Sequence, residues 1–226
     1  EEEFSPCSIG GTSLNDIKQI ANSELIISLG SSMEDLALTF AKEQGLSSYH
    51  FDSLSTLDDI DSFFELLRNC SGNEPKKRYL KQRSHLLDTL LDTQFYLSGK
   101  QFAIAGDPEF ITKWKNPLED IGAKATVVSS IKTEKFEAGD LGDLHNMLLE
   151  ESVDFLIGST HVADLAHELS IAVVRAGIPV SDRIGEPQSI RIGYLGAARL
   201  YMDCANAVMA GVKHTEPYIS SLRATL

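Results

Sequence analysis

Apolar residues in this chain fall into short runs alternating with stretches of helical spacing, most clearly between residues 99 and 129. Residues 101–105 form an apolar run the length of a buried strand. Gly106, Asp107 and Pro108 break it. Phe110, Ile111, Trp114, Leu118 and Ile121 then recur at the three- and four-residue spacing of one helix face. Gly122 stops that helix, and 123–129 read as a second strand. Strand, helix and strand in this order predict two adjacent parallel strands with the helix over the sheet. Gly106, Asp107 and Pro108 then lie beyond a strand's carboxyl end, where open α/β sheets present their ligand-facing loops.

The same alternation extends both ways. Thr12 or Ser13 is placed to cap a short helix carrying Leu14, Ile17 and Ile20. Residues 24–29 read as a strand, and Gly30 turns the chain. Ser31 or Ser32 is expected to cap a helix with Met33, Leu36, Ala37, Phe40 and Ala41 inward, and 46–51 form a weaker strand. Residues 56–70 read as a helix with Leu57, Ile60, Phe63, Phe64 and Leu67 inward. The break at 71–75 is the sharpest in the chain. A long helix follows over 76–97, with a wide stripe of Tyr79, Leu80, Leu86, Leu87, Leu90, Leu91 and Leu97. Past the central unit come a polar loop (130–139), a helix capped by Asp140, a strand (153–157), a helix (162–169) and a strand (171–175). An irregular stretch (176–192) leads to a last helix (194–209), small-residue-rich and suited to close packing, and a tail from Val212 that docks or frays. The expectation is an α/β chain: a three-layer Rossmann-like parallel sheet domain (99–226), preceded by part of a second similar domain (1–75) and a long connecting helix (76–98).

Composition narrows the function. The 226 residues are 42% hydrophobic, enough for a core, and the formal net charge of −13 argues against general nucleic-acid or anionic-membrane binding. Cys7, Cys70 and Cys204 stand far apart with no CxxC pair, so neither a cluster signature nor a disulfide framework is present, and a reducing, cytoplasmic compartment fits. No apolar run approaches the roughly 18 residues of a membrane span. The first residues lack the features of a secretory signal, and with no initiator Met the chain reads as a piece of something longer.

Three exit loops are expected to converge at one sheet edge: 106–109, 158–161 and 175–179. Asp107 suits a helix N-cap and Pro108 its first position. Ser159 and His161 follow the third strand of the sheet, without GxSxG, HExxH or a spacing that supports a metal site. Asp182 and Arg183 either pin the 176–192 loop or, with Arg175 and Arg191 joining Arg183, form a local anion-accepting patch. Gly10, Gly11 and the 30–32 turn are weak anion-nest candidates. No GxGxxG or Walker lysine appears, so a nucleotide site is unsupported.

SIGGTSLNDIKQI (8–20), LLDTQFYLSGKQFAIAGDPEF (90–110), DFLIGSTH (154–161) and GIPVSDRIGEPQSIRIGYLGAARL (177–200) stand in a distinctive order. Together they resemble the carboxyl-terminal part of the nitrogenase component 1 family, above all the beta-like subunit of the iron–molybdenum cofactor assembly scaffold. The resemblance implies stacked α/β domains, of which this chain supplies most of one and all of another. It implies an alpha-like scaffold subunit as partner, holding the cofactor precursor during maturation, and an ATP-dependent iron protein docking on the full complex. That complex would carry an iron–sulfur cluster and the iron–molybdenum cofactor precursor, and this stretch would bind no cofactor or metal and have no turnover alone. The resemblance casts Gly106, Asp107, Pro108, Ser159, His161, Asp182, Arg183 and Tyr194 as fold and interface determinants rather than catalysts. A partner surface is expected on the last helix or on 176–192. Ser181 departs from the FDR form commoner in the catalytic branch. A redox subunit (a nitrogenase beta chain, or a protochlorophyllide or chlorophyllide reductase) is the alternative. A small-anion-binding α/β enzyme is a further one, and would need a basic, open pocket at the exit loops.

Overall fold

The computed structural model describes residues 12–211, which form two compact units divided after Asp52. Cys7, Gly10, Gly11 and the tail from Val212 lie outside the described residues.

The first unit begins with α1 (Leu14–Gln19), whose N-cap Ser13 makes a full capping box with Asp16. Strands β1 (Leu25–Leu29) and β2 (Ser47–Phe51) pair in parallel. Between them, a 3₁₀ turn at Ser31–Met33 leads into α2 (Glu34–Gln44). Neither Ser31 nor Ser32 caps α2: Met33 occupies the N-cap, with no side-chain cap bond, because the 3₁₀ turn delays the helix start. The expected apolar face is also only half used. Ala37 and Ala41 are buried, while Met33 and Leu36 are exposed, since a two-stranded sheet covers little more than the two alanines.

In the second unit, β3 (Gln101–Gly106), β4 (Lys124–Ser129), β5 (Phe155–Gly158) and β6 (Ala172–Arg175) form one parallel sheet in the order β4-β3-β5-β6. Phe102 aligns with Ala125 and Ala105 with Val128, the adjacency that the strand–helix–strand pattern predicts. Side chains alternate between the faces. Phe102, Ile104, Phe155, Ile157 and Val174 enter one core, and Ala103, Val128 and Leu156 enter the other. The second core is closed by α6 (Leu141–Glu150), fully boxed by Asp140 and Asp143, and by α7 (Thr160–Glu168). The first is closed by α3 (Leu57–Ser71), α4 (Lys77–Leu97), α5 (Pro108–Asp120) and α8 (Gly193–Gly211). Cover on both faces is why all four residues of β5 are buried.

Helix–helix packing in this layer shows what a count of leucines misses. On α4 the buried residues are Leu86, Thr89, Thr93 and Leu97, whereas Leu80, Leu91 and Phe95 are exposed. The expected wide leucine stripe is therefore a narrow one that includes two threonines. Their hydroxyls return hydrogen bonds to the carbonyls one turn back, from Thr89 to His85 at 2.8 Å and from Thr93 to Thr89 at 2.7 Å. Satisfied in this way, they are small enough for α8, with Ala197, Ala198 and Ala205 buried, to pack along α4. The break at 71–75 is a turn between α3 and α4, both within this unit.

Pro117 lies inside α5 and has no amide hydrogen for the carbonyl of Lys113. The buried Ser55 hydroxyl supplies the missing bond at 2.8 Å. The Pro117 carbonyl in turn accepts from the Tyr201 hydroxyl at 3.0 Å, fastening α8 to α5.

Candidate functional site

The sheet order places a topological switch between β3 and β5, and the exits of β3, β5 and β6 lie side by side at its carboxyl edge. Asp107 is the N-cap of α5, accepting the Phe110 amide hydrogen at 2.9 Å, and Pro108 follows at the first helical position. Gly106 is dictated by Phe110: an added Cβ would lie 2.5 Å from the ring. The other edge of the same ring faces Gly177, which has a φ of +85° and would place a Cβ 3.3 Å away. Phe110 is thus a wedge between the β3 and β6 exits.

The β5 and β6 exits are tied by Thr160. Its amide donates to the Pro179 carbonyl at 3.0 Å, and its hydroxyl donates to Asp182 at 3.1 Å while accepting from the Ser181 amide at 2.8 Å. Ser159 occupies the N-cap of α7 without a side-chain cap bond, and His161 is exposed. The ion partner of Asp182 is Arg175, and that guanidinium holds its carboxyl below the ordinary range. The Arg183 side chain donates to the Asp182 carbonyl oxygen at 3.1 Å.

Arg191 anchors the far end of the loop. Nearly buried at 9% exposure, it pairs with Glu186 and with Asp203 (3.1 Å) and lies over the Trp114 ring at 5.3 Å. A Cβ added at Gly196 would meet the Arg191 carbonyl carbon at 2.6 Å, so α8 presses directly on this backbone. Arg175, Arg183, Arg191 and Arg199 do line one cavity of about 450 Å³ along β6. Arg175 is taken by Asp182, Arg191 by Glu186 and Asp203, and Arg199 by Asp203 at 2.8 Å.

Tyr194 lies elsewhere, in the core that α3 and α4 close. Its hydroxyl donates to Asp61 at 2.7 Å, the Arg83 fork grips the same carboxylate at 2.7–3.0 Å, and Phe64 stacks on the ring at 5.2 Å. Burial opposes ionisation of Asp61, but Arg83 and Tyr194 outweigh it and hold the carboxyl below its ordinary 3.8. A carboxyl depressed in the folded state stabilises the fold above its unfolded value and loses that contribution as pH falls through the folded one. Wild type is therefore expected to lose stability relative to Asp61→Asn as pH falls below about 4. Urea midpoints at stepped pH check this, and parallel slopes for the two proteins would contradict it.

Among the described residues no group of three or more His, Cys, Asp or Glu side chains is arranged to hold a metal. Cys70 is free and exposed; Cys204 is buried, with its thiol pushed well up by burial and by Asp203. In the first unit, Ser28 bonds His50 Nδ1 at 2.9 Å, and His50 Nε2 reaches Asp52 at 3.3 Å. The row has the residue types of a hydrolase triad, but Ser28 is buried and its hydroxyl is a cross-strand tie.

The model of the nitrogenase component 1 type oxidoreductase family matches residues 3–209. The chain belongs to this family. Among component 1 relatives, it is 30% identical to the nitrogenase iron-molybdenum cofactor biosynthesis protein NifN of Bradyrhizobium diazoefficiens, over 92% of this chain and 46% of that protein. It is 32% identical to the nitrogenase molybdenum-iron protein beta chain of Clostridium pasteurianum, over 88% of this chain and 48% of that one. The solved structure of nitrogenase Cp1 at pH 6.5 superposes with a TM-score of 0.85 at 30% identity, covering 95% of this chain and 52% of that one. The chain thus spans about half the length of the component 1 relatives it matches, and it is related to both the NifN proteins and the molybdenum-iron beta chains.

Proposed function

We propose that this chain is part of a β-type subunit of a component 1 complex, acting as a rigid pairing module rather than as the seat of chemistry. The observation that carries this reading is that the exit-loop carboxylates, with Arg175 and Arg191, are spent on partners within the chain. Asp107 caps a helix, Asp182 holds Arg175 and Thr160, and Arg191 holds Glu186 and Asp203. Among its exposed residues, 176–192 also turns large apolar side chains to solvent: Ile184 is fully exposed and Ile190 is 72% exposed. Large side chains left bare on a loop fixed at both ends mark a protein-facing surface. The partner would be an alpha-like subunit in a cytoplasmic complex on which an ATP-dependent iron protein docks. The iron–sulfur cluster and the iron–molybdenum cofactor or its precursor would be carried outside this stretch.

Two branches share this description. The redox branch, a catalytic beta chain, is supported by superposition on Cp1 over 95% of the chain, its 32% identity to a molybdenum-iron beta chain being equalled among NifN proteins. The cofactor assembly branch is supported by identity to NifN proteins of several species, 30% and 32% among them. Co-expression of the full-length gene with each candidate alpha-like partner separates them. Acetylene reduction by the purified complex with iron protein supports the redox branch, and transfer of a cofactor to apo-nitrogenase supports the assembly branch. In either complex, Ile184→Asp with Ile190→Asp is expected to abolish co-purification while leaving the urea midpoint of the isolated chain unchanged. Undiminished co-purification would remove the loop from the interface.

A further inference from the structure

We propose that the pocket between α5 and the β6 exit loop binds a small monoanionic carboxylate with an apolar or aromatic body, its carboxylate seated on Lys113. The cavity is about 610 Å³, within the range of roughly 300–1,000 Å³ usual for small-molecule sites. It opens beside Phe110 and Gly177, at the carboxyl edge of the sheet where such folds take ligands. Phe110, Trp114, Ile178, Pro179 and Val180 make most of the wall apolar.

Its polar lining is sparse and unbalanced. Two cations, Lys113 and Arg191, face one carboxylate, Glu186, and that carboxylate is already held by Arg191. Lys113 is left over. Its backbone carbonyl is taken by Ser55, and its ammonium forms no ion pair with a carboxylate among the described residues, Glu186 being held by Arg191. Burial and the neighbouring Arg191 both push its pKa down. A half-buried cation without a counter-ion is held at a cost, and an anion arriving in the pocket relieves it. A highly charged anion would bring excess charge into apolar walls, and a neutral one would leave Lys113 as it is. One negative charge on an apolar body matches both parts of the lining. This chemistry is independent of which component 1 branch the chain serves.

Trp114 is the one tryptophan of the chain and lines the pocket, so its emission reports occupancy. Titration of the purified chain with phenylacetate is expected to change that emission saturably. Phenylacetamide, the neutral isostere, should bind at least about tenfold more weakly, and acetate, which lacks the apolar body, should have no effect at matched concentration. Lys113→Met is expected to abolish the preference for acid over amide, and Lys113→Arg to keep it. Equal binding of acid and amide by wild type overturns the proposal without any variant. So does an acid preference that survives in Lys113→Met, or the absence of a saturable change up to about 10 mM phenylacetate.

Discussion

Arg191→Met is expected to cost this protein about 3–5 kcal/mol, the penalty for removing one partner of a buried charge cluster. The guanidinium is nearly buried, and the side chains of its partners Glu186 and Asp203 are only 14% and 15% exposed. Asp203 keeps Arg199 in the variant, so the uncompensated charge falls mainly on Glu186. Glu186→Gln in the Arg191→Met background should therefore recover part of the loss, which a double-mutant cycle in urea measures. Trp114 loses its cationic cover in the same step, and its emission should shift. A loss below about 1 kcal/mol would mean that the cluster behaves as a solvent-screened surface pair.

Phe102→Ala should be of similar size, about 3–5 kcal/mol, for a different reason. Phe102 sits in the middle of the sheet with no exposed surface and stacks on its cross-strand partner Phe155, with centroids 5.5 Å apart. Removing the ring leaves a void that β5 and the covering helices cannot readily close, because β5 is held on its other side by β6 and the helices are packed on one another. Phe102→Leu fills most of the volume and should cost nearer 1 kcal/mol. Equilibrium urea unfolding ranks the two variants, and equal losses would contradict a cavity origin. Most domains have only about 5–15 kcal/mol in hand, so either alanine or methionine variant sits close to unfolding at body temperature.

Local chemistry made the sheet legible in advance. Apolar runs bounded by Gly106 and Gly122 give β3 and β4, and the short apolar run ending at Gly158 gives β5. The Asp107 cap and Pro108 follow from residue type alone. What escaped depends on partners distant in sequence. Tyr194 meets Asp61 across 133 positions, and Arg191 finds Trp114 through the fold of a loop with no period. Thr160 outranks its neighbours Ser159 and His161 because the second residue after β5 faces the β6 loop, and register, rather than residue type, decides that. The buried threonines of α4 were hidden for the opposite reason: a hydroxyl that bonds its own helix counts as apolar once folded, although its side chain reads as polar. Lys113 carried no signal at all, since only the finished cavity sets it apart from other lysines on helix surfaces.

The pairing of α4 with α8 also bears on how the chain is made. Roughly 100 residues separate the end of one helix from the start of the other, which at cellular translation speeds is a wait of about 5–20 s. Throughout that interval the part of the core that α8 fills, against α4 and the sheet, has only α3, α4 and α5 around it. A ribosome stalled before Gly193 would therefore hold out a half-layer whose apolar side α8 alone completes.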